Sequence, residues 1–130
     1  MRHSNGLLLA CLLFVSLPTW AATPAELLAQ YQPPGFKADA KRGRDFFQAR
    51  HPTAQGEQSC ASCHTGNPLN PGKTRVGKII EPLAPAANPS RFTDPAKVEK
   101  WFRRNCGDVL GRECSAAEKA DFIVYLTFVK

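Results

Sequence analysis

The sequence predicts an all-α protein, and three features support this prediction. Capping boxes at Thr23–Glu26 and Ser115–Glu118 are typical of helix N-termini, because each pairs a hydroxyl residue with a glutamate three positions later. Thr93–Pro95 begins another helix, with an acidic residue and a proline at its start. The segment 66–92 contains five prolines and three glycines, too many for a helix or a central strand. We therefore expect helices joined by one long irregular segment.

The order and bounds of the elements follow from these signals. The first helix is predicted to end before Pro33, and the second to span Asp39 to Arg50. A polar loop, 51–59, is expected after it. The third helix is predicted to run from Pro95 to Asn105 and to end at Cys106–Gly107. The last helix follows the second capping box.

Two of these helices carry matching faces. Gly43 lies four residues before Phe47 in the second helix, so a bare patch of backbone sits one turn from an aromatic ring. In the last helix, Phe122, Tyr125 and Leu126 form one apolar stripe. We expect the helix containing Phe47 to cross the last helix near Phe122 and Tyr125.

Residues 1–22 have the order of a secretory signal peptide. An early arginine precedes the apolar run LLLACLLFVSL, and small residues follow at Ala21 and Ala22. The run is too short to span a bilayer as a helix, which disfavours a retained membrane anchor. We expect cleavage near Ala21 or Ala22, export to the periplasm, and a single domain over 23–130.

The charge of the chain is moderately basic. Arg2 is one of the 17 Lys and Arg residues, so the predicted mature chain carries sixteen of them against eleven Asp and Glu. This surplus is compatible with a solvated surface or with docking of an acidic partner protein. No run of four basic residues occurs in the sequence, so nucleic-acid binding is not supported.

Cys60, Cys63 and His64 form the sequence C-x-x-C-H, which is the attachment motif of haem c. The two thiols form thioether bonds to the haem edge, and the imidazole binds one face of the iron. A zinc site would need a second ligand pair of suitable spacing, and a thioredoxin-type site would need a βαβ pattern around it. The motif therefore predicts one covalent haem with His64 as proximal ligand.

The ligand on the opposite face of the iron is not identified by this motif. Methionine is a common choice for electron transfer, but the one methionine is Met1, which signal cleavage would remove. His51 would give bis-histidine iron, and Lys73 or Lys78 would give histidine–lysine iron. The remaining possibilities are an open site or one closed by a weak oxygen donor.

Cys106 and Cys114 remain after the haem motif and the signal peptide are assigned. In an oxidising compartment a disulfide between them is favoured over free thiols or metal ligands.

Four stretches carry a resemblance to a known family: TRVGKIIEPLAP (74–85), PSRFTDPAKVEKWFRRNC (89–106), GREC (111–114) and AEKAD (117–121). They resemble the sphaeroides haem protein family of class I-like monohaem c-type cytochromes. The resemblance covers nearly all of the predicted mature chain, includes Cys106 and Cys114, and implies a class I cytochrome c-like helical fold.

The resemblance also implies a specific haem site. Asn105 would be the distal ligand of ferric iron through its side-chain oxygen, with a Cys106–Cys114 disulfide beside it. Reduction would release Asn105 and open the iron to oxygen or nitric oxide. A dihaem c-type cytochrome and a membrane b-type cytochrome would be the electron donors.

The residues around Asn105 are compatible with that role. Trp101 lies one turn earlier and is a candidate wall of the haem pocket. A neutral amide oxygen is a hard donor that suits Fe(III) better than Fe(II). Arg75 and Lys78 are candidates for neutralising a haem propionate.

Three other functions stay open at this point. The first is pure electron transfer with fixed bis-histidine or histidine–lysine ligation, and the second is a small terminal reductase of oxygen, peroxide or nitric oxide. The third is a disulfide-bonded module without haem. We favour an electron-transfer and ligand-binding protein over a turnover enzyme.

Overall fold

The computed structural model describes residues 21–130, so nearly all of the predicted signal peptide lies outside the described part. The elements, in chain order, are α1 (Pro24–Tyr31), α2 (Ala40–Gln48), β1 (His51–Thr53), β2 (Gly56–Gln58), α3 (Cys60–His64), β3 (Gly72–Lys73), β4 (Ile79–Ile80), α4 (Pro95–Leu110) and α5 (Ala116–Phe128). Helices dominate, which confirms the predicted all-α class. Between residues 21 and 130, no helix has the length and apolarity that crossing a membrane requires.

The predicted helix starts are confirmed. The Thr23 hydroxyl accepts a hydrogen bond from the backbone N–H of Glu26 at 3.2 Å, and the Ser115 hydroxyl accepts one from Glu118 at 3.2 Å. Both pairs complete the reciprocal capping box. Asp94 caps α4, directly before a proline at the first helical position.

The predicted end of the helix that begins at Pro95, which is α4 in the structure, is wrong. α4 continues through Cys106–Gly107 to Leu110, and the chain then turns at Gly111 with a φ of 68°. The N–H of Gly111 donates to the carbonyl of Gly107 at 3.1 Å. Gly111 therefore supplies the left-handed residue that ends the helix, while Gly107 adopts ordinary helical geometry.

The predicted polar loop 51–59 is also wrong, because it contains a β-hairpin. β1 pairs antiparallel with β2, with His51 opposite Gln58, and α2 stops at Gln48 rather than Arg50. The Thr53 hydroxyl donates to the carbonyl of Gly56 at 2.7 Å, which closes the turn. The hairpin packs against α4, a long-range contact that local sequence patterns do not reveal.

The segment 66–92 is largely irregular, as predicted. The exception is a short antiparallel pairing of β3 with β4, in which Gly72 lies opposite Ile80. Pairing of only two residues in each strand is consistent with the prolines and glycines around it.

The close crossing of α2 and α5 forms the centre of the core. Gly43 lies directly on the backbone of Asp121 and on Cβ of Tyr125. Phe47 is fully buried, and its ring centroid lies 6.1 Å from Phe122 and 5.6 Å from Tyr125. This confirms the predicted crossing.

A buried carboxylate joins the start of α2 to α5 beside this crossing. Asp121 is only 6% exposed and accepts hydrogen bonds from Arg42 Nε at 2.8 Å and Arg42 Nη2 at 2.9 Å. The backbone N–H of Asp39 donates to the same carboxylate at 2.6 Å. With three donors, the buried charge is paired and hydrogen-bonded.

A second polar contact joins α1, α4 and α5. Tyr31 donates to Glu99 at 2.7 Å, and Lys119 Nζ donates to both oxygens of Glu99 at 2.9 Å. Beneath it, the Phe102 ring makes edge-to-face contacts with Tyr31 and Phe122. α4 is thereby held against the other helices through one of its faces.

The close contact at Gly43 and the open space at Gly107 predict opposite effects of Gly→Ala substitution on the free energy of unfolding. A methyl group at Gly43 would overlap the backbone of α5, so Gly43→Ala should lower the free energy of unfolding by about 1–3 kcal/mol. A methyl group at Gly107 would meet no other heavy atom within 4 Å, so Gly107→Ala should raise it by up to about 1 kcal/mol. Urea unfolding of both variants measures this, and equal effects in both would contradict the close approach.

The Arg112–Glu118 pair predicts a loss of stability in acid. Hydrogen bonds from Arg112 and from the N–H of Ser115 lower the pKa of Glu118 from 4.5 to about 2. The folded pKa is below the unfolded one, so this contribution is complete above about pH 5 and is lost as pH falls from 4.5 towards 2. Unfolding free energies measured at pH 7, 4 and 3 should fall less steeply in Glu118→Gln than in the wild type.

Candidate haem site

The predicted haem-attachment residues lie together on one short helix. α3 contains Cys60, Cys63 and His64, and both cysteines are free thiols. The chain leaves α3 at Thr65, whose φ of 64° is unusual for a residue with a side chain. Cys60 and Cys63 are one turn apart, so both thiols project from the same side of the helix.

Gly72 holds β3 directly against this helix. A methyl group there would overlap the carbonyl oxygen of Cys63 and press on Cα of His64. Glycine is required because no other residue allows so close an approach of two backbones. Sequence patterns did not identify this position, since its only signal is that it is one of several glycines in the irregular segment.

The proton affinities of the α3 side chains fit haem attachment. Burial raises the pKa of Cys60 to about 11, so at neutral pH this group is a thiol rather than a metal-binding thiolate. Burial, with a smaller contribution from the charge of Arg91, lowers the pKa of His64 to about 4. The imidazole is therefore neutral, and its lone pair is available to iron.

Arg91 is a second residue near the motif that sequence patterns did not single out. Its Nε donates to the carbonyl of Pro82 at 2.8 Å, and its Nη2 donates to the carbonyl of Glu81 at 2.6 Å. The side chain is partly buried, and its charge reaches His64.

The two faces of α4 differ in burial. Phe102 and Cys106 are buried in the core, at 7% and 6% exposure. Asn105 lies on the adjacent face at helical spacing from Val98 and Val109, and all three are only partly buried. Val98 also packs against the core, and the predicted contact of Asn105 with the haem iron remains a prediction.

Trp101 lies beside this strip, one turn before Asn105. It is 39% exposed, and the charged groups of Arg104 and Lys100 lie 5.4 and 5.9 Å from its ring centroid. Its ring therefore borders a basic surface, and its role as a pocket wall remains a prediction.

Cys106 and Cys114 lie at disulfide-bonding distance, with their Cα atoms 5.6 Å apart. The pair connects the second half of α4 to the turn that precedes α5, and both residues are buried. This end of α4, which carries Asn105, is consequently fixed to the core.

Arg75 and Lys78 lie on the exposed turn between β3 and β4. Arg75 Nη1 donates to the side-chain oxygen of Gln55 at 2.9 Å, which links this turn to the β1–β2 hairpin. The backbone N–H of Lys78 donates to the Thr74 hydroxyl at 3.1 Å. The suggested contact of Arg75 or Lys78 with a propionate remains a prediction.

His51 has an unusual environment. Its Nε2 is buried and has no hydrogen-bond partner among residues 21–130, and its strand packs against α4. A buried nitrogen without a partner is costly, so His51 stays a candidate for a second interaction with the haem.

The chain is similar to one protein-family model and to two characterised cytochromes. The family model, described as a domain of unknown function, DUF1924, matches residues 34–126. The cytochrome c-type protein SHP of Cereibacter sphaeroides is 47% identical over 106 residues, covering 80% of this chain and 82% of that protein. Cytochrome c'' of Methylophilus methylotrophus is 55% identical over 86 residues, covering 65% of this chain and 60% of that protein.

Solved structures give the same result. Oxidized SHP, described as an oxygen-binding cytochrome c, matches with a TM-score of 0.77 and 46% identity, covering 82% of this chain and 96% of that one. Oxidized cytochrome c'' from Methylophilus methylotrophus matches with a TM-score of 0.74 and 44% identity, covering 82% and 94%. The solution structure of cytochrome c'', described in terms of haem-ligand detachment, has a TM-score of 0.72.

The predicted fold and cofactor are thereby confirmed, and the attachment residues on α3 have the chemistry that this cofactor needs. The chain belongs to the SHP family of c-type cytochromes, with a class I-like helical fold and haem c as its covalent cofactor.

Proposed function

We propose that this protein is a periplasmic c-type cytochrome that accepts an electron and then binds a small diatomic ligand, oxygen or nitric oxide. Asn105 would hold the oxidised iron through its side-chain oxygen, and His64 would be the other protein ligand. The reduced iron would bind the amide less strongly, so the diatomic ligand could replace Asn105. The observation that carries the proposal is the position of Asn105, on a partly covered strip of α4 beside the Cys106–Cys114 pair.

The absence of a methionine ligand supports an openable site. The chain contains a single methionine, Met1, which lies within the predicted signal peptide. The haem would supply a redox-active iron, held by His64 and Asn105, that could bind a diatomic ligand in place of Asn105. A hard amide oxygen binds Fe(III) in preference to Fe(II), so the loss of one positive charge on the iron favours release of Asn105.

The surroundings of Asn105 favour release by side-chain rotation. The second half of α4 is fixed through Cys106 to Cys114, and Arg112 and Glu118 brace the following turn with contacts of 2.7 and 2.9 Å. The backbone at Asn105 therefore stays helical while the amide group moves. Such a ligand would be able to bind the iron again after oxidation.

The related proteins support the same interpretation. One of the matched structures is described as an oxygen-binding cytochrome c, and another in terms of haem-ligand detachment. We extend both properties to this chain as part of the proposal.

A dihaem c-type cytochrome and a membrane b-type cytochrome are the proposed electron donors. The basic residues around Trp101, among them Lys97, Lys100, Arg103 and Arg104, would favour association with an acidic donor surface. The proposed route of export is the N-terminal signal peptide. Sequencing the N-terminus of the purified protein tests this, because cleavage after Ala21 or Ala22 leaves Ala22 or Thr23 first.

A pure electron-transfer protein with bis-histidine iron is the second candidate. The observation that favours it is the buried, unpartnered Nε2 of His51, within residues 21–130, in a strand that packs against α4. A small terminal reductase is distinguished from both by sustained turnover of oxygen, peroxide or nitric oxide with a coupled electron donor.

Asn105→Ala tests the proposed distal ligand. Removing the amide should change the ferric absorption spectrum and raise the affinity of the oxidised protein for cyanide by about tenfold or more, since cyanide no longer competes with Asn105. Asn70→Ala, on an exposed turn, is the matched control and should leave both quantities unchanged. An unchanged spectrum and affinity in Asn105→Ala would restrict Asn105 to a role in helix structure.

His51→Gln separates the two candidate functions. Under the proposal, this variant keeps the wild-type ferric spectrum, and wild type and variant both bind one carbon monoxide per haem when reduced. Under bis-histidine ligation, wild type fails to bind carbon monoxide and the variant loses its low-spin ferric spectrum. Optical titration of the reduced proteins with carbon monoxide measures both outcomes.

A further inference from the structure

We propose that the groove between the start of α2 and the end of α5 is a binding site for a small aromatic monocarboxylate. The groove has a volume of about 320 Å³, at the lower end of the range for small-molecule sites. It is lined by Ala40, Lys41, Arg44, Tyr125, Phe128 and Val129. None of these residues belongs to the haem-attachment motif or to α4, so the inference does not depend on the proposed function.

The hydroxyl of Tyr125 is the polar group that comes from the core side of the groove. The side chain is 8% exposed, and its ring lies against Phe47 with the centroids 5.6 Å apart. Among residues 21–130 this hydroxyl makes no hydrogen bond, and only Nε2 of His51 is both unpartnered and fully enclosed. The Tyr125 oxygen is therefore reachable from the groove. Buried tyrosine hydroxyls usually have a partner, and a ligand oxygen would supply one here.

Arg44 brings a positive charge to this hydroxyl. Burial raises the pKa of Tyr125, and the charge of Arg44 acts in the opposite direction, so its field reaches the oxygen. Within residues 21–130 the Arg44 guanidinium makes no hydrogen bond. The Asp45 carboxylate binds Lys41 Nζ at 2.6 Å and lies 3.8 Å from Arg44 Nε. One carboxylate thus faces two cations, and one positive charge of the lining residues is unmatched.

The start of α2 favours an anion as well. Ala40 and Lys41 are the first two residues of this nine-residue helix, where the backbone N–H groups have no carbonyl partner within the helix. The positive end of the helix dipole therefore lies at the groove. Together with the Arg44 guanidinium and the Tyr125 hydroxyl, this wall offers hydrogen-bond donors, which a carboxylate accepts.

The opposite wall of the groove is apolar. Phe128 is 72% exposed, and Val129 beside it is partly buried. An aromatic ring on the ligand would cover the Phe128 ring and gain by leaving water. A small hydrated anion such as phosphate has no group to bury there, and a cation would meet Arg44 and Lys41. The combination of donors and an apolar wall therefore favours an aromatic carboxylate.

Chemical-shift titration of the isotope-labelled holoprotein with benzoate tests this inference, with benzamide as the neutral analogue of the same shape. Benzoate should bind with a Kd of about 1 mM and shift the backbone amides of residues 40–44 and 125–129. Benzamide should bind about fivefold more weakly or worse, because it lacks the negative charge. The haem absorption spectrum, recorded in parallel, should stay unchanged, because the groove is separate from the haem-attachment helix.

Three variants of the holoprotein locate the site. Arg44→Gln removes the charge and should weaken benzoate binding about fivefold. Tyr125→Phe keeps the ring in the core, removes the hydroxyl and should weaken binding about threefold. Arg50→Gln, the matched control, makes the same change in net charge at an exposed position outside the groove and should leave the Kd unchanged.

Several results would overturn the inference. They are an absence of benzoate binding, equal binding of benzoate and benzamide, an unchanged Kd in Arg44→Gln or Tyr125→Phe, and an equal loss in Arg50→Gln. A changed haem spectrum without shifts in the groove would assign benzoate to the iron instead. A wild-type dimer that Phe128→Ser converts to a monomer would assign the groove to a second copy of the chain, which also overturns the inference.

Discussion

The contact between α2 and α5 at Gly43 is the constraint on which the other packing depends. Because Gly43 lets the two backbones touch, Phe47 reaches Phe122 and Tyr125, and the Asp121 carboxylate meets donors at the start of α2. α1 packs on the same helix, α5. The inward face of α4 packs against α1 and α5 through aromatic and polar contacts, and the face that carries Asn105 is only partly covered. The proposed haem-facing side of α4 is thus the side that this core does not bury.

The two sides of the site differ in how firmly they are held. On the proximal side, Gly72 lies on the backbone of Cys63 and His64. Arg91 donates hydrogen bonds to the loop 81–84, and that loop hydrogen-bonds to Pro68 in the segment after α3. These are backbone contacts with little freedom. On the proposed distal side, the helix carrying Asn105 is fixed through Cys106, but the amide itself is a short, neutral side chain on a partly exposed face. A firm proximal side and a movable distal side are what redox-linked ligand release requires.

Local signals predicted the parts of this fold that depend on local chemistry. The capping boxes marked the starts of α1 and α5, and the Gly43–Phe47 spacing indicated the crossing of α2 with α5. Prediction from sequence failed where contacts between residues distant in the chain determine the local structure. The 51–59 segment forms a hairpin that packs on α4. Helix α4 continues beyond Gly107, because glycine is tolerated in helical geometry, and it ends at Gly111, which adopts a left-handed conformation. Arg91 and Gly72 carried no local signal at all.

The sequence by itself determined that haem is bound covalently, through Cys60, Cys63 and His64, because those residue types at that spacing define the attachment chemistry. It also determined that a cleaved chain has no methionine to offer the iron, because Met1 is the only one. Only the tertiary structure decided which side chains surround the motif. Arg91 lies 27 positions after His64 in the chain, yet it holds the loop 81–84, which folds back onto Pro68, four residues after that imidazole. Electrostatic and backbone contacts act over ångströms, and sequence patterns do not record such distances.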